Sequence, residues 1–222
     1  MRQIRPIIHA ACLTVSMVAA FTSRPASAGV IYTTLGPPGD QWAPSSDGGY
    51  AVGDIASTNQ VIGNKFTLAA ADTVADAVLA LGFVSGTNNP VNVYIESDSS
   101  GAPGSILATL SQVGTIPSDS GGGGLVTFTC SGAQCALAAG TYWLVALEPN
   151  AGTQQVWYWD YQLSARTNLA SDTTGSATGP WTVQNLHPDA FEIDDPVPEP
   201  GSLVLLGSGL LGLAGLVRRR RN

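Results

Sequence analysis

Histidine is scarce in this chain. Its 222 residues hold two, of which only His187 follows Ala28. One histidine excludes every metal scheme that needs two histidine ligands and leaves a Ser-His-Asp triad a single candidate base. Leu186 and Pro188 flank it like a strand end entering a turn, the setting of a solvent-facing loop residue. No G-x-S-x-G elbow, H-E-x-x-H helix or phosphate-cradling glycine loop accompanies it. Basic residues are almost as scarce in the body of the chain. Of nine, Arg2, Arg5 and Arg24 lie at the front and Arg218 to Arg221 at the end, which leaves Lys65 and Arg166 facing nearly all of the sixteen acidic residues. Nucleic-acid binding draws on basic neutralisation of phosphates, so an acidic surface of this kind excludes nucleic acid as a partner. The acidity serves solubility instead. Internal repeats of solenoid or propeller length are absent as well.

What is present is concentrated at the two ends. Residues 197–222 read VPEPGSLVLLGSGLLGLAGLVRRRRN. From Gly201 to Val217 there is no charge, and a helix there would span roughly 25 Å at about 1.5 Å per residue, near the lower limit for a bilayer core of about 30 Å. Arg218, Arg219, Arg220 and Arg221 follow at once, and positive charge beside a span holds that end on the cytoplasmic side. Pro198 and Pro200 cannot continue a helix and bias their predecessors to extended backbone, so Glu199 is displayed on a stiff strip outside the membrane. Gly207, Gly209, Gly212 and Gly215 either lower helix propensity, which suits a span held briefly and then cut, or form a face on which helices pack closely. This order of parts resembles the PEP-CTERM sorting signal, the tag that exosortases recognise in Gram-negative bacteria that make extracellular polysaccharide. The resemblance implies an exosortase as processing partner, cleavage near Pro198-Glu199-Pro200, transient membrane anchoring, and a product at the cell surface or in the extracellular biofilm matrix.

The front end agrees with export. Arg2 and Arg5 precede an apolar run from Ala10 to Phe21, and Ala26-Ser27-Ala28 supplies the small residues that signal peptidase requires. Residues 1–28 therefore read as a signal peptide cut after Ala28, with Ala26 and Ala28 forming the cleavage site and Gly29 starting the mature chain. Cys12 does not make this a lipoprotein signal, because the residue three before it is His9 and the apolar run follows the cysteine.

Residues 29–196 are enough for one domain with a real core. Short β-rich runs alternate with glycine, serine, asparagine and proline clusters, the punctuation of an all-β protein. In Val91-Asn92-Val93-Tyr94-Ile95-Glu96, Val91, Val93 and Ile95 share one face and the polar partners the other. Thr73 to Val84 is rich in alanine, yet its β-branched residues and Gly82 favour a strand. The expected fold is a single β-sandwich of jelly-roll type, flanked by the signal peptide and a C-terminal transmembrane sorting helix. Three segments also resemble the choice-of-anchor domains of type R that precede such tails: Gly101-Ala102-Pro103-Gly104 with the apolar strand after it, Leu137-Ala138-Ala139-Gly140-Thr141-Tyr142-Trp143-Leu144, and Ala190-Phe191-Glu192-Ile193. That resemblance implies a secreted β-rich surface domain with no catalytic residue to carry over.

Three features invite chemistry. Glu96-Ser97-Asp98-Ser99-Ser100-Gly101 mimics the first half of an EF-hand, but the twelfth position is Leu107, without the carboxylate that closes the shell, and a polar turn is the better reading. Cys130 and Cys135 are the only thiols after Ala28, and an oxidising compartment favours a local disulfide between them. In Val156-Trp157-Tyr158-Trp159-Asp160-Tyr161, a strand would project Trp157, Trp159 and Tyr161 from one face. That row either packs in the core, as Trp143 does, or forms a platform for sugar rings. The reading is an exosortase-processed surface or matrix protein associated with exopolysaccharide, with no catalytic residue, metal or cofactor. A carbohydrate-binding module using Trp157, Trp159 and Tyr161 is the alternative, and a secreted hydrolase with its acid and base among the carboxylates is a more distant one.

Overall fold

The computed structural model describes residues 29–39, 41–42, 48–55, 58–87, 90–160 and 167–196. All of them fall within the compact unit Ser27–Pro198; a second unit, Met1–Ala26 with Glu199–Asn222, lies outside the described residues. The strands are β1 (Val30–Thr33), β2 (Gly49–Ile55), β3 (Thr58–Leu68), β4 (Asp72–Thr73), β5 (Asp76–Ser85), β6 (Asn92–Ser99), β7 (Ala102–Val113), β8 (Gly124–Thr129), β9 (Ala136–Leu137), β10 (Gly140–Leu147), β11 (Gln154–Tyr158), β12 (Thr167–Asp172), β13 (Thr182–Leu186) and β14 (Phe191–Asp194). The alanine-rich stretch that contains β5 is a strand. Between β6 and β7 the chain reverses through Ser100 and Gly101, both at positive φ (56° and 90°), as a two-residue hairpin turn requires.

Strand pairing runs β5, β11, β2, β3, β10, β6, β7, β8 and back to β5, every step antiparallel, so eight strands close a barrel. The expected β-sandwich is therefore corrected. Two long strands turn the corners. β7 pairs with β6 from Ala102 to Leu110 and then with β8 from Ser111 to Val113. β3 pairs with β10 from Ile62 to Leu68 and with β2 from Thr58 to Gln60. β5 completes the ring, meeting β8 from Asp76 to Leu81 and β11 from Leu81 to Ser85. Register shifts around Glu96 in β6 bend that pair, as bulges do. Alternation along a strand is the same in a sandwich and a barrel; the corners decide, and they depend on partners that no local pattern reveals. The expected transmembrane helix is also no part of the described fold. Among the described residues no helix is long and apolar enough to cross a membrane, and Gly201 to Val217 lies outside them.

The barrel interior holds Ile62, Phe66 and Leu68 of β3, Leu79 and Leu81 of β5, Val93 and Ile95 of β6, Leu144 of β10 and Trp157 of β11. Each such side chain contributes about 1.5–3 kcal/mol by leaving water. A second cluster of Val61, Trp143, Val145 and Ala170, with Tyr94, Leu147 and Trp181 against it, covers the opposite face of β3 and β10. β10 is thus buried on both faces, with Tyr142, Leu144 and Ala146 inward and Trp143 and Val145 outward. Trp143 is in a core, though on the outside of the barrel wall.

Candidate functional site

β14 ends two residues before the last described residue, and the way it is held defines the site. β14 lies between β5 and β1, with Phe191 opposite Leu79, Asp194 opposite Asp76 and Glu192 opposite Thr33. Phe191 is fully buried, stacks on Tyr32 at 5.3 Å and meets Trp157 edge-on at 6.0 Å. Such aromatic pairs add to the burial of the rings themselves. Thr34 closes the corner, its hydroxyl donating to Asp189 O at 2.7 Å and accepting from Phe191 N at 2.9 Å. One residue past the strand, Asp195 N donates to Gly29 O at 2.9 Å, and Gly29 N donates back to the Asp195 carboxylate. The two ends of the described domain therefore meet.

This seam is acidic. Burial first, then the carboxylates of Glu192, Asp76 and Asp195, push Asp194 up to about 6. Among the described residues the ion pair present is Lys65 with Asp98 at 3.4 Å, so the lysine is engaged on the far strands β3 and β6.

The aromatic row does not stand free. Trp157 is fully buried in the barrel and donates its indole N–H to Ala190 O at 3.0 Å. Trp159 is half-buried, lying over Gly48, 5.7 Å from Tyr50 and 5.8 Å from His187. Tyr158 faces the other way and donates to Asp119 at 2.6 Å, and burial, then that carboxylate, raises its hydroxyl well above the ordinary value. Tyr161 lies outside the described residues, as do Ala26, Ala28, Pro198, Glu199, Pro200 and Arg218 to Arg221. Cys130 and Cys135 are joined, their Cα atoms 5.9 Å apart. In the turn from Glu96 to Gly101, Asp98 accepts from Gly101 N at 3.0 Å and from the Trp143 indole at 2.9 Å. Those bonds and Lys65 hold its carboxyl below the ordinary value although its surroundings push the other way. Lys65 also sits over the Trp143 ring at 5.6 Å, a cation–π contact.

Two buried carboxyls were not legible from the sequence as special. Glu96, opposite Trp143 and near Ile106 in register, is fully buried with neither oxygen hydrogen-bonded, and burial raises it to about 8. Asp189 is fully buried between β13 and β14; its Oδ2 accepts from Asn64 Nδ2 at 2.8 Å and its N–H donates to Asn64 Oδ1 at 3.0 Å. Burial raises Asp189 well above the ordinary range, with the nearby Asp160 adding to the rise and Asn64 opposing it. Periodicity places Asn64 on the inward face with Ile62 and Phe66, which is the one signal that a polar tie crosses the interior. Among the described residues no group of three histidine, cysteine or carboxylate side chains is placed to hold a metal, and Nδ1 of His187 is buried without a hydrogen-bond partner.

Fold and seam together define an antiparallel eight-stranded β-barrel with a further strand, β14, hydrogen-bonded between barrel strand β5 and β1. Residues 196–221 match the PEP-CTERM protein-sorting motif. The motif marks an exosortase-targeted protein, exported to the cell surface or the extracellular space. No curated protein and no solved structure matches the chain.

Proposed function

We propose that this is a non-catalytic component of an exopolysaccharide-bearing surface or matrix, released from its leader by signal peptidase after Ala28 and cut by exosortase near Pro198-Glu199-Pro200. The observation that carries the reading is the sorting motif at residues 196–221, which begins two residues after β14, a strand held between barrel strand β5 and β1. A fold of this kind is a passenger that stays folded while its tail is handled. Two of its buried carboxyls serve the architecture: Asp189 ties to Asn64, and Glu148 accepts from Asn150 N at 2.9 Å and from Asn150 Nδ2 at 2.8 Å. The likeness to choice-of-anchor domains of type R supports a secreted surface role for the barrel.

The test is to express the full chain in an exosortase-bearing host and in the same host lacking the exosortase, alongside Glu199→Gln. The expected result is a surface or extracellular product that has lost the mass of the arginine tail, which neither the exosortase-null strain nor the variant yields. An intact tail in all three would overturn the processing claim. Co-sedimentation of the product with the host's exopolysaccharide addresses the matrix role, and a product that never co-sediments would refute it.

A further inference from the structure

The contact between Gly29 and Asp195 changes character if the leader is removed where the proposed processing places the cut. Hydrolysis of the Ala28–Gly29 bond consumes one water, leaves a carboxylate on Ala28 and frees the Gly29 amine, which takes a proton at neutral pH. The nitrogen that donates one neutral hydrogen bond to Asp195 then becomes an ammonium with three donors. We propose that signal-peptide removal creates, at Gly29, a cation that is captured by the Asp195 carboxylate and clasps the root of the sorting segment to the start of β1. The inference rests on the proposed cleavage after Ala28 and adds to it a consequence for the mature domain.

Three observations carry it. The backbone already holds the two residues in place, through Asp195 N to Gly29 O at 2.9 Å and through β1 paired with β14 from Val30 to Thr33. The charges around the new ammonium are of one sign: Asp195 in contact and Asp194 opposite the neighbouring Val30, with Asp76 and Glu192 acting in turn on Asp194, and the neutral phenol of Tyr32 on β1 itself. The mature chain has Lys65 and Arg166 as its only other side-chain cations, and Lys65 is paired with Asp98. The fit is close: a Cβ on Gly29 would lie 3.0 Å from both Asp195 carboxylate oxygens, so a larger residue there would shift the carboxylate by a few tenths of an ångström. An N-terminal amine held in this way fixes the last residue before the sorting motif, so the β1–β14 edge keeps its partner after the tail is cut.

The experiment uses the exported, processed protein. Its N-terminal residue is read by mass spectrometry, and acylation of its two amines, the α-amine and Lys65, is followed at pH 8 in the folded protein and in urea. A free α-amine titrates near 8, and one held by carboxylates stays protonated to higher pH, so folded-state labelling is expected about two- to fourfold slower than in urea. Asp195→Asn restores the faster rate while Lys65 labelling stays as it was, and Asp195→Glu keeps the α-amine slow. A chain that begins at Gly29 but labels at the unfolded rate would overturn the clasp and leave the cleavage reading standing. A chain that begins elsewhere would overturn both.

Discussion

Glu96→Gln should make the protein more stable near neutral pH, and by an amount that grows with pH. Glu96 is fully buried with both oxygens unpartnered, and its carboxyl moves from an ordinary 4.5 to about 8 in the folded chain. A raised acid binds its proton more tightly when folded, so unfolding releases that proton above about 4.5. The contribution to stability is full below the unfolded value, declines as pH rises, and is lost once pH passes the folded value. At about 1.36 kcal/mol per pH unit, the loss between pH 5 and pH 7 is on the order of 2 kcal/mol. Lys65 does not offset it, because its ammonium pairs with Asp98 on the same face.

Other raised carboxyls, Asp189 and Asp194, tilt the curve the same way, so the quantity to measure is the difference between parent and variant. The substituted amide keeps the shape of the side chain and carries no proton to lose. In urea denaturation at pH 5 and pH 7, the parent midpoint should fall relative to that of Glu96→Gln by roughly 1 M for a slope of about 2 kcal/mol per M. Parallel pH dependence of the two proteins would refute the reasoning and mean that Glu96 ionises in the folded chain at little cost.

The remaining predictions concern the same core. Replacing Cys130 and Cys135 by serine opens a small loop and should cost about 2 kcal/mol on the loop-entropy relation, read as a lower thermal midpoint without loss of the β circular-dichroism signal. Trp157→Ala empties part of the barrel interior and should cost about 3–5 kcal/mol, seen in denaturation; a fully stable variant would mean that the side chain is not packed as described. Asn64→Leu strips Asp189 of two hydrogen bonds and should cost about 3 kcal/mol, whereas Asn64→Leu combined with Asp189→Ala should recover part of that loss; an additive double variant would dissolve the tie.

Most strands were legible because their apolar residues alternate with a period of two, and that pattern reports a half-buried strand whatever its neighbours are. The pattern in residues 91–96 marks β6 and that in residues 73–84 marks β5, each nearly as it stands. Gly49–Ile55 was missed: β2 carries two glycines and little β-branched sequence, and it is a strand because β11 and β3 bond to its two edges. Thr167–Asp172 was missed likewise, its polar run held between β3 and β13. Closure of the barrel was illegible for the same reason, since it lies in the switch of β7 from β6 to β8. The aromatic row shows the limit from the other side. Period two assigned Trp157 and Trp159 to one face, but the regular strand ends at Tyr158, so Trp157 turns into the barrel while Trp159 lies in the connection that follows.

The seam shows how sequence-distant parts come to depend on one another. Phe191 is buried because β5 and β1 flank it; its burial sets the register that leaves Asp194 and Asp195 beside Asp76 and Gly29. Four carboxylates would crowd such a site at a cost in ionisation free energy, which is what the raised Asp194 records. An acidic stretch is nonetheless retained directly before the sorting motif at residue 196. Under the proposed cleavage after Ala28, a cation supplied by the new N-terminus would relieve that crowding. If that cleavage takes place, the seam should therefore cost the precursor more than the mature protein, and an independent check is whether the Asp194 carboxyl titrates lower once Gly29 carries a free amine.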